Sequence, residues 1–321
     1  MASGEFDLIA RYFTRPVRKA VLGVGDDCAL LQPAPGMQLA VSTDMLVEGR
    51  HFLSTVAPER LGHKALAVNL SDLAACGARP LAFTLALAMP RIDAAFLDGF
   101  SRGLFALADE HEVELVGGDT TAGPLNICIT VFGEVPAGAA LRRDGARPGD
   151  GIWVSHPIAG GIGDARLALE VFRGRLGLDG DGFERVRRAM ELPQPRVPLG
   201  LALRGLATSA IDLSDGLAGD LGHVLQRSRV GARIRVDALP AGEVLSAQPE
   251  ALRRECLLCG GDDYELLFTA ADDEAVRAAA RSAKVGVTRI GTIEAETGLR
   301  WIDARNQVLD IDARGFDHFT D

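Results

Sequence analysis

The apolar positions of this chain recur at helical spacing in some segments and in short runs in others. Long helical stretches begin at Pro58 and at Ile92, and Gly77 and Pro80 stop the first of them. The pattern predicts helices at residues 5–13, 58–75, 92–110, 162–173, 216–228 and 272–283. It predicts strands at 39–43, 81–88, 113–116, 125–132, 152–155, 209–213, 232–236 and 265–269.

The order of these elements bears on the fold class. Helices and strands intermix without the regular strand-helix-strand repeat of a doubly wound sheet, which favours an α+β or α/β fold. Pro136–Asp150 is rich in Gly, Pro, Ala and Arg and is typical of a linker, and residues 174–197 read as a long connection. A chain of 321 residues fits two domains. We predict an N-terminal domain at 1–140 and a C-terminal domain at 141–321.

Composition and charge narrow the class of partner. A net charge of −10 argues against nucleic acid, because neutralising phosphates needs a clustered basic surface. No window approaches 18 uninterrupted apolar residues, so we expect no membrane span. Five scattered cysteines suit a reducing compartment, and we predict a cytoplasmic protein. Cys256 and Cys259 have the spacing of zinc ligands but no second pair, so we interpret them as packed thiols.

Acidic side chains stand where folded proteins usually place glycine, serine or apolar residues. Carboxylates in such places are costly unless a cation meets them, and Mg²⁺ held by carboxylates and phosphate oxygens is a common solution. The segments concerned are Gly25-Asp26-Asp27, Ser42-Thr43-Asp44, Asn69–Asp72, Gly117–Thr121, Asp212–Gly216 and Gly260–Asp263.

Most of these motifs also have an ordinary structural explanation. Asp27 lies in a segment that could be a turn held by Asp side chains, and Asp44 could belong to a turn or helix cap at a strand end. Asp72 shares a helix face with Asn69, in a helix that is otherwise apolar, which favours a functional role. Asp119 follows two glycines, a weak signal by itself, and Asp215 could cap a helix.

Some common phosphate-binding signatures are missing. None of the three lysines follows a glycine, which excludes a Walker A motif, and the protein-kinase motif set is absent.

The motifs GEF, GDDCA, STD, KALAVNLSDLAA, GGDTT, DLSDGL, GGDDYEL and the tail GFDHF occur in this order from Gly4 to Phe319. In this wording and order the chain closely resembles the bacterial thiamine-monophosphate kinases, within the aminoimidazole-ribonucleotide-synthetase-like superfamily. The resemblance implies two α+β domains, with the N-terminal one binding ATP and Mg²⁺ and forming a homodimer. It implies transfer of the γ-phosphoryl group of ATP to thiamine monophosphate, the last step in making thiamine diphosphate. Transfer would be direct and in line, without a catalytic nucleophile.

The resemblance also implies roles for individual residues. Several Mg²⁺ ions would be bound by Asp27, Ser42, Thr43, Asp44, Asp72, Asp119, Asp212 and Asp215. ATP would contact Gly118, Asp119, Arg143 and Ser214, and thiamine monophosphate would contact His51, Asp262 and Phe316. Related chains usually carry Glu where this one has Asp262, and the stretch Ser155–Gly160 departs from the related pattern.

Two other functions stay open at this stage. One is a different enzyme of the superfamily, which uses ATP to activate an amide oxygen or a selenide. The other is a non-catalytic sensor of metal or nucleotide.

Overall fold

A computed structural model describes residues 5–316 of the chain, with side chains described from residue 7. The chain divides into two compact units, Met1–Leu73 with Ala78–Gly138 and Ala74–Gly77 with Ala139–Asp321. The elements up to residue 136 are α1 Glu5–Tyr12, β1 Met37–Val47, α2 Pro58–Ala75, β2 Arg79–Met89, α3 Ala94–Glu110, β3 Glu114–Ala122 and β4 Asn126–Pro136.

The first unit is built on a four-stranded sheet in the order β1-β4-β2-β3. Strands β2 and β3 are parallel, because α3 carries the chain back between them, and the other pairs are antiparallel. On β2 the buried Phe83, Leu85 and Leu87 alternate with the less buried Thr84 and Ala86, as a sheet covered on one face requires. Helix α3 starts at a side-chain cap, where Asp93 accepts a hydrogen bond from the Phe96 N–H at 3.1 Å.

The second unit contains a seven-stranded sheet in the order β11-β10-β7-β9-β5-β8-β6. Its elements are β5 Gly151–His156, α4 Asp164–Phe172, α5 Gly180–Glu191, α6 Val197–Ala202, β6 Ala207–Asp212, α7 Leu217–Ser228, β7 Gly231–Arg235, a 3-10 turn Val236–Ala238, α8 Glu243–Ser246, α9 Glu250–Cys259, β8 Leu266–Ala270, α10 Asp273–Ala283, β9 Gly286–Glu294, β10 Gly298–Ile302 and β11 Val308–Leu309. Apolar side chains of the central strands, such as Ile152 and Val154, pack with Leu167 and Leu221 of the helices in one core. Burial raises the pKa of the Cys256 thiol in α9 to about 12, as expected for a packed thiol.

Several predicted boundaries are wrong. The strand predicted at 39–43 runs from Met37 to Val47, and the one predicted at 113–116 runs from Glu114 to Ala122. Asp44 and Gly117–Thr121 therefore lie inside strands and not after them. The supposed connection 174–197 contains α5, and three strands after residue 285 were not predicted. Glycine and polar side chains interrupt the local pattern in these segments, whereas pairing with neighbouring strands keeps the backbone extended.

Candidate active site

Two motifs of the first unit meet where β1 lies against α2. The Ser42 hydroxyl donates a hydrogen bond to the Asp72 carboxylate, and the Asp44 N–H donates to the Asn69 side-chain oxygen at 3.0 Å. Asn69 is held in turn, because its amide group donates to the Ala65 carbonyl at 3.0 Å. The structure therefore brings Ser42, Asp44 and Asp72 together at one face of the sheet. A cap or turn at Asp44 is excluded, since the residue lies within a strand.

Thr43 lies on the opposite face of the sheet. Its hydroxyl is 2.8 Å from the hydroxyl of Thr130, its cross-strand neighbour on β4. Successive side chains of a strand point to opposite faces, so the Thr43 hydroxyl cannot join the oxygens of Ser42 and Asp44. Any contact of Thr43 with a metal on the α2 face would use its main-chain oxygen.

Asp27 and His51 occupy irregular segments of the same unit. The Asp27 N–H donates to the Asp26 carboxylate at 2.8 Å, so the predicted turn held by an Asp side chain is present, with Asp26 in that role. Asp27 itself is exposed. The His51 ring nitrogen Nδ1 accepts a hydrogen bond from the Val47 N–H at 3.0 Å, which fixes the ring at the end of β1.

Gly118 and Asp119 lie on β3, beside Leu85 and Ala86 of β2. A Cβ on Gly118 would lie 1.8 Å from the Leu85 carbonyl oxygen, and its φ is 149°. The close approach of the two strands is therefore sufficient to require glycine at this position, whether or not a ligand binds there. Asp119 is exposed on an edge strand, while Asp44 lies on the other edge, three strand spacings or roughly 14 Å away. A single Mg²⁺ with ligand distances of about 2 Å cannot bridge these two carboxylates within one chain.

In the second unit the segment Asp212–Gly216 joins β6 to α7. Asp212 is the last residue of β6 and is buried. Gly216, and not Asp215, occupies the N-cap position of α7, and no side chain caps the helix there. The alternative in which Asp215 caps the helix is therefore wrong. The segment is held from inside the helix, because one carboxylate oxygen of Asp220 accepts the N–H groups of Ser214 and Asp215, both at 3.1 Å.

Asp220 is a residue that the sequence analysis missed. It is only 2% exposed, and burial together with the negative charge of Asp215 raises its pKa to about 7. The two N–H groups and the positive charge of Arg143 act in the opposite direction. An aspartate among apolar residues in the first turns of a helix, five positions after Asp215, was the available signal.

The segment Gly260–Glu265 is bonded to the same loop. The Asp262 N–H donates to the Ser214 carbonyl at 2.9 Å, and the Tyr264 N–H donates to the Leu213 carbonyl at 2.8 Å. Asp262 and Tyr264 both have positive φ, 73° and 51°. Short polar side chains tolerate this conformation better than longer ones, so the backbone favours Asp at position 262.

The far end of this segment is held by buried charges. Arg196 forms a two-point ion pair with Glu265, whose carboxylate also accepts the Ser155 hydroxyl. Ser155 in turn accepts the Leu266 N–H at 2.8 Å, so this serine, which had no predicted role, is part of the support. Both Asp263 oxygens accept the Gly163 N–H, at 2.9 and 3.0 Å, and burial raises the pKa of Asp263 well above its ordinary value.

The chain returns to this place near residue 316. The Phe316 N–H donates to the Asp215 carbonyl at 2.9 Å, and a Cβ on Gly219 would lie 2.7 Å from the Gly315 Cα. The glycine pair lets the tail cross helix α7 at backbone contact. Asp317, His318 and Phe319 of the tail motif lie outside the described residues. Arg143 is exposed, and its charge acts on Asp220.

The donor atoms suit a hard cation, although they form no protein cage. Among residues 5–316, no three His, Cys, Asp or Glu side chains come together as a metal-binding group. Mg²⁺ usually takes one or two carboxylates and completes its shell with water and substrate phosphates. The pair Asp44 and Asp72 with the Ser42 hydroxyl fits that mode of binding.

Asp164, at the start of α4, gives a prediction about stability. One of its oxygens is buried without a hydrogen-bond partner, and burial raises its pKa to about 6. The folded state therefore binds the proton more tightly than the unfolded chain, and stability falls as the pH rises from about 4 to about 6. Asp164→Asn should remove this loss and raise the free energy of unfolding by about 2 kcal/mol at pH 8, and by less at pH 5. Urea unfolding at both pH values measures it.

The exposed Asp181 of α5 provides the control for Asp164. Asp181→Asn removes the same charge but no buried carboxylate, so its stability should stay within 0.5 kcal/mol or so of the parent at both pH values. An Asp164→Asn effect that is equal at pH 5 and pH 8 would contradict the assignment.

Comparison with known proteins agrees with this architecture. The family model of the AIR synthase related protein N-terminal domain matches residues 25–135, and that of the C-terminal domain matches residues 147–303. The fold is thus that of the AIR-synthase-related proteins. A thiamine-monophosphate kinase of Salmonella typhimurium is 46% identical over 331 aligned residues, covering 99% of each chain.

Two solved structures are similar along most of the chain. The crystal structure of thiamine-monophosphate kinase from Stenotrophomonas maltophilia has 45% identity and a TM-score of 0.83, covering 92% of this chain and 94% of that one. A structure described as AaThiL complexed with AMPPCP and TMP has 28% identity and a TM-score of 0.76, covering 90% and 89%. The chain belongs to the thiamine-monophosphate kinase family, and the resemblance found in its sequence is confirmed.

Proposed function

We propose that this protein transfers the γ-phosphoryl group of ATP to thiamine monophosphate, giving thiamine diphosphate and ADP, the last step in making that cofactor. The similarity over the whole chain to proteins named thiamine-monophosphate kinase supports this reaction. A relative whose structure is described as complexed with AMPPCP and TMP supports both substrates.

The observation that carries the proposal is the junction of three segments in the second unit. The main-chain oxygens of Ser214 and Asp215 accept the N–H groups of Asp262 and Phe316. Ser214, predicted to contact the nucleotide, and Asp215, predicted to bind Mg²⁺, are thus each joined by one hydrogen bond to a residue predicted to contact thiamine monophosphate. Such a junction would hold a phosphate donor and acceptor in a fixed relation, which is most of what phosphoryl transfer needs.

The proposed mechanism is direct in-line transfer with bound Mg²⁺. In the first unit Asp44 and Asp72, with the Ser42 hydroxyl and the Thr43 main-chain oxygen, would hold the ion. Asp27 and Asp119, and Asp212 and Asp215 in the second unit, are the further ligands that we propose. Several Mg²⁺ ions would neutralise charge on the phosphates of both substrates. Gly118, Arg143 and Ser214 would orient ATP, and His51, Asp262 and Phe316 would orient thiamine monophosphate.

The proposed reaction is tested by its product. Purified protein with thiamine monophosphate, ATP and Mg²⁺ should form thiamine diphosphate and ADP in equal amounts, measured by chromatography. ATP binding without product would support a sensor. ATP consumed only with an aminoimidazole precursor or a selenide would support a different enzyme of the superfamily.

Phe316 gives a prediction about substrate choice. A cationic thiazolium ring over an aromatic face gains about 0.5–2 kcal/mol, and Phe316 is held beside Asp215 by its own N–H. Phe316→Ala should therefore raise KM for thiamine monophosphate several-fold and leave KM for ATP within twofold. Phe183→Ala removes an aromatic ring of the same unit, one paired with Phe172, and should change neither constant. Equal changes in both KM values for Phe316→Ala would show that the tail only supports the fold.

We also propose a homodimer formed through the open face of the four-stranded sheet. Leu39, Val41 and Met45 of β1 are 43%, 56% and 53% exposed. They form an exposed apolar row on the face of the strand opposite α2. A second copy would cover the same row on both chains by two-fold symmetry. Light scattering should give twice the chain mass of 33.9 kDa for the parent and one chain mass for Val41→Lys. Ile158→Lys, at an exposed apolar residue of the second unit, should leave the mass unchanged.

The cytoplasm is the compartment that we propose. No disulfide joins the five cysteines, all of which lie within residues 5–316, as a reducing compartment favours. Along residues 5–316, no helix has the length and apolar character that a membrane crossing requires.

A further inference from the structure

Asp220 is bonded to residues 214–215, the segment that joins the other two in this junction. Its carboxylate is buried in the first turns of α7, and one oxygen accepts two consecutive main-chain N–H groups, those of Ser214 and Asp215. Hydrogen bonds to an ionised acceptor are about twice as strong as bonds between neutral groups. No backbone carbonyl of α7 could take this place, because each points along the helix axis.

The two residues whose N–H groups bond to Asp220 are bonded to the other two segments through their carbonyl groups. The Ser214 carbonyl accepts the Asp262 N–H at 2.9 Å, and the Asp215 carbonyl accepts the Phe316 N–H at 2.9 Å. Each of these two residues is therefore bonded to Asp220 through its N–H and to another segment through its carbonyl. A shift of residues 214–215 would move the segments at 262 and 316 with it.

Burying a carboxylate costs free energy, and an apolar residue at this position of the helix would avoid that cost. The cost is offset only by the hydrogen bonds that the carboxylate accepts, and those of Asp220 come from a loop and not from the core. Position 220 needs no acid to form α7, whose buried residues include Leu217, Leu221 and Val224. The hydrogen bonds that Asp220 accepts from Ser214 and Asp215 therefore explain the acidic residue at this position.

We propose that Asp220 is a positioning residue for both substrates: it fixes residues Ser214 and Asp215, and through them the residues at 262 and 316, against movement when phosphates bind. The inference rests on the proposed kinase function for the identity of the substrates. It adds a residue that touches neither the nucleotide nor the thiamine compound.

The test compares Asp220 with Asp150, an aspartate that is similarly buried and also accepts two hydrogen bonds. Asp150 is 4% exposed in the same unit and accepts the Arg147 N–H at 2.9 Å and the Thr208 hydroxyl at 2.6 Å. Asp220→Ala and Asp150→Ala should lower the unfolding temperature of the ligand-free protein by similar amounts. Only Asp220→Ala should raise KM for both ATP and thiamine monophosphate, by tenfold or more, along with the Mg²⁺ concentration for half-maximal rate.

A second variant separates geometry from folding. Asp220→Asn keeps one oxygen that can accept both N–H groups, so its KM values should rise only three- to fivefold and fall between those of the parent and of Asp220→Ala. If Asp220→Ala does not fold, the Asn variant alone decides. KM values within twofold of the parent in the folded Asp220 variants would overturn the proposal, as would equal increases in Asp150→Ala.

A measurement of nucleotide-analogue binding makes this test independent of turnover. Calorimetric titration with AMPPCP and Mg²⁺ should show at least tenfold weaker binding to Asp220→Ala than to Asp150→Ala. If the parent binds the analogue but forms no thiamine diphosphate, the proposed function fails, while the titration still decides the role of Asp220.

Discussion

Replacing Asp119 by Asn is expected to lower turnover by about 10²-fold or more while the protein stays folded. Asp119 is exposed on the edge strand β3, where an amide of the same shape disturbs no packing. The change removes a negative charge that we propose as a ligand of the metal bound to the phosphates. Loss of one such stabilising group typically costs on the order of 3 kcal/mol in the transition state. Steady-state kinetics at saturating Mg²⁺, with thermal unfolding to confirm the fold, measures the effect.

Asp98 is the matched control for this experiment. It is an exposed aspartate of the same unit, on α3, and lies outside every acidic motif. Asp98→Asn makes the same change of charge and should keep kcat within twofold of the parent. Near-parent turnover for Asp119→Asn would remove Asp119 from the metal site and leave the Ser42, Asp44 and Asp72 group as the ligands of the first unit.

Mg²⁺ and ATP together are expected to stabilise the folded protein far more than either one alone. Within the described residues 5–316, the structure gathers only small groups of oxygen ligands, so phosphate oxygens would have to complete the metal's shell. At a hundredfold excess over the dissociation constant, binding adds about 2.7 kcal/mol to the free energy of unfolding. ATP without metal would bring its phosphates against uncompensated carboxylates.

A thermal-shift series tests this dependence directly. The three samples contain Mg²⁺ alone, ATP with a chelator, and Mg²⁺ with ATP, and only the third should raise the unfolding temperature by several degrees. AMPPCP with Mg²⁺ should reproduce the third result, which separates binding from turnover. An equal rise for ATP with chelator would show that metals do not organise the site.

The candidate site shows where reasoning from sequence succeeds. Asp72 was singled out because a polar side chain inside an apolar helix needs a reason, and the structure gives it a bond from Ser42 across to the sheet. Asp212 was predicted at a strand end and is the last residue of β6. Both inferences depend on local rules of periodicity and of the cost of burying charge, which a short window of sequence contains.

Other features depended on partners far away in the chain. Asp220 resembles any acid near a helix start until the chain folds its carboxylate under Ser214 and Asp215. Ser155 had no predicted role, yet it bonds to Glu265, which is 110 positions away. Gly118 seemed suited to a phosphate, whereas the approach of Leu85 from the neighbouring strand is sufficient reason for it.

By itself, the sequence determined the family, the positions of the main helices and most strands, and the set of acidic motifs, because spacing and residue type carry that information locally. Only the tertiary structure decided how those motifs are arranged: that Ser42 and Thr43 face opposite sides of the sheet, and that Asp44 and Asp119 lie on opposite edges. It also decided that residues 214–215 join the segments at 262 and 316. Strand register and loop contacts are set by pairing between distant segments and by the packing of the core, and no local window of sequence contains these interactions.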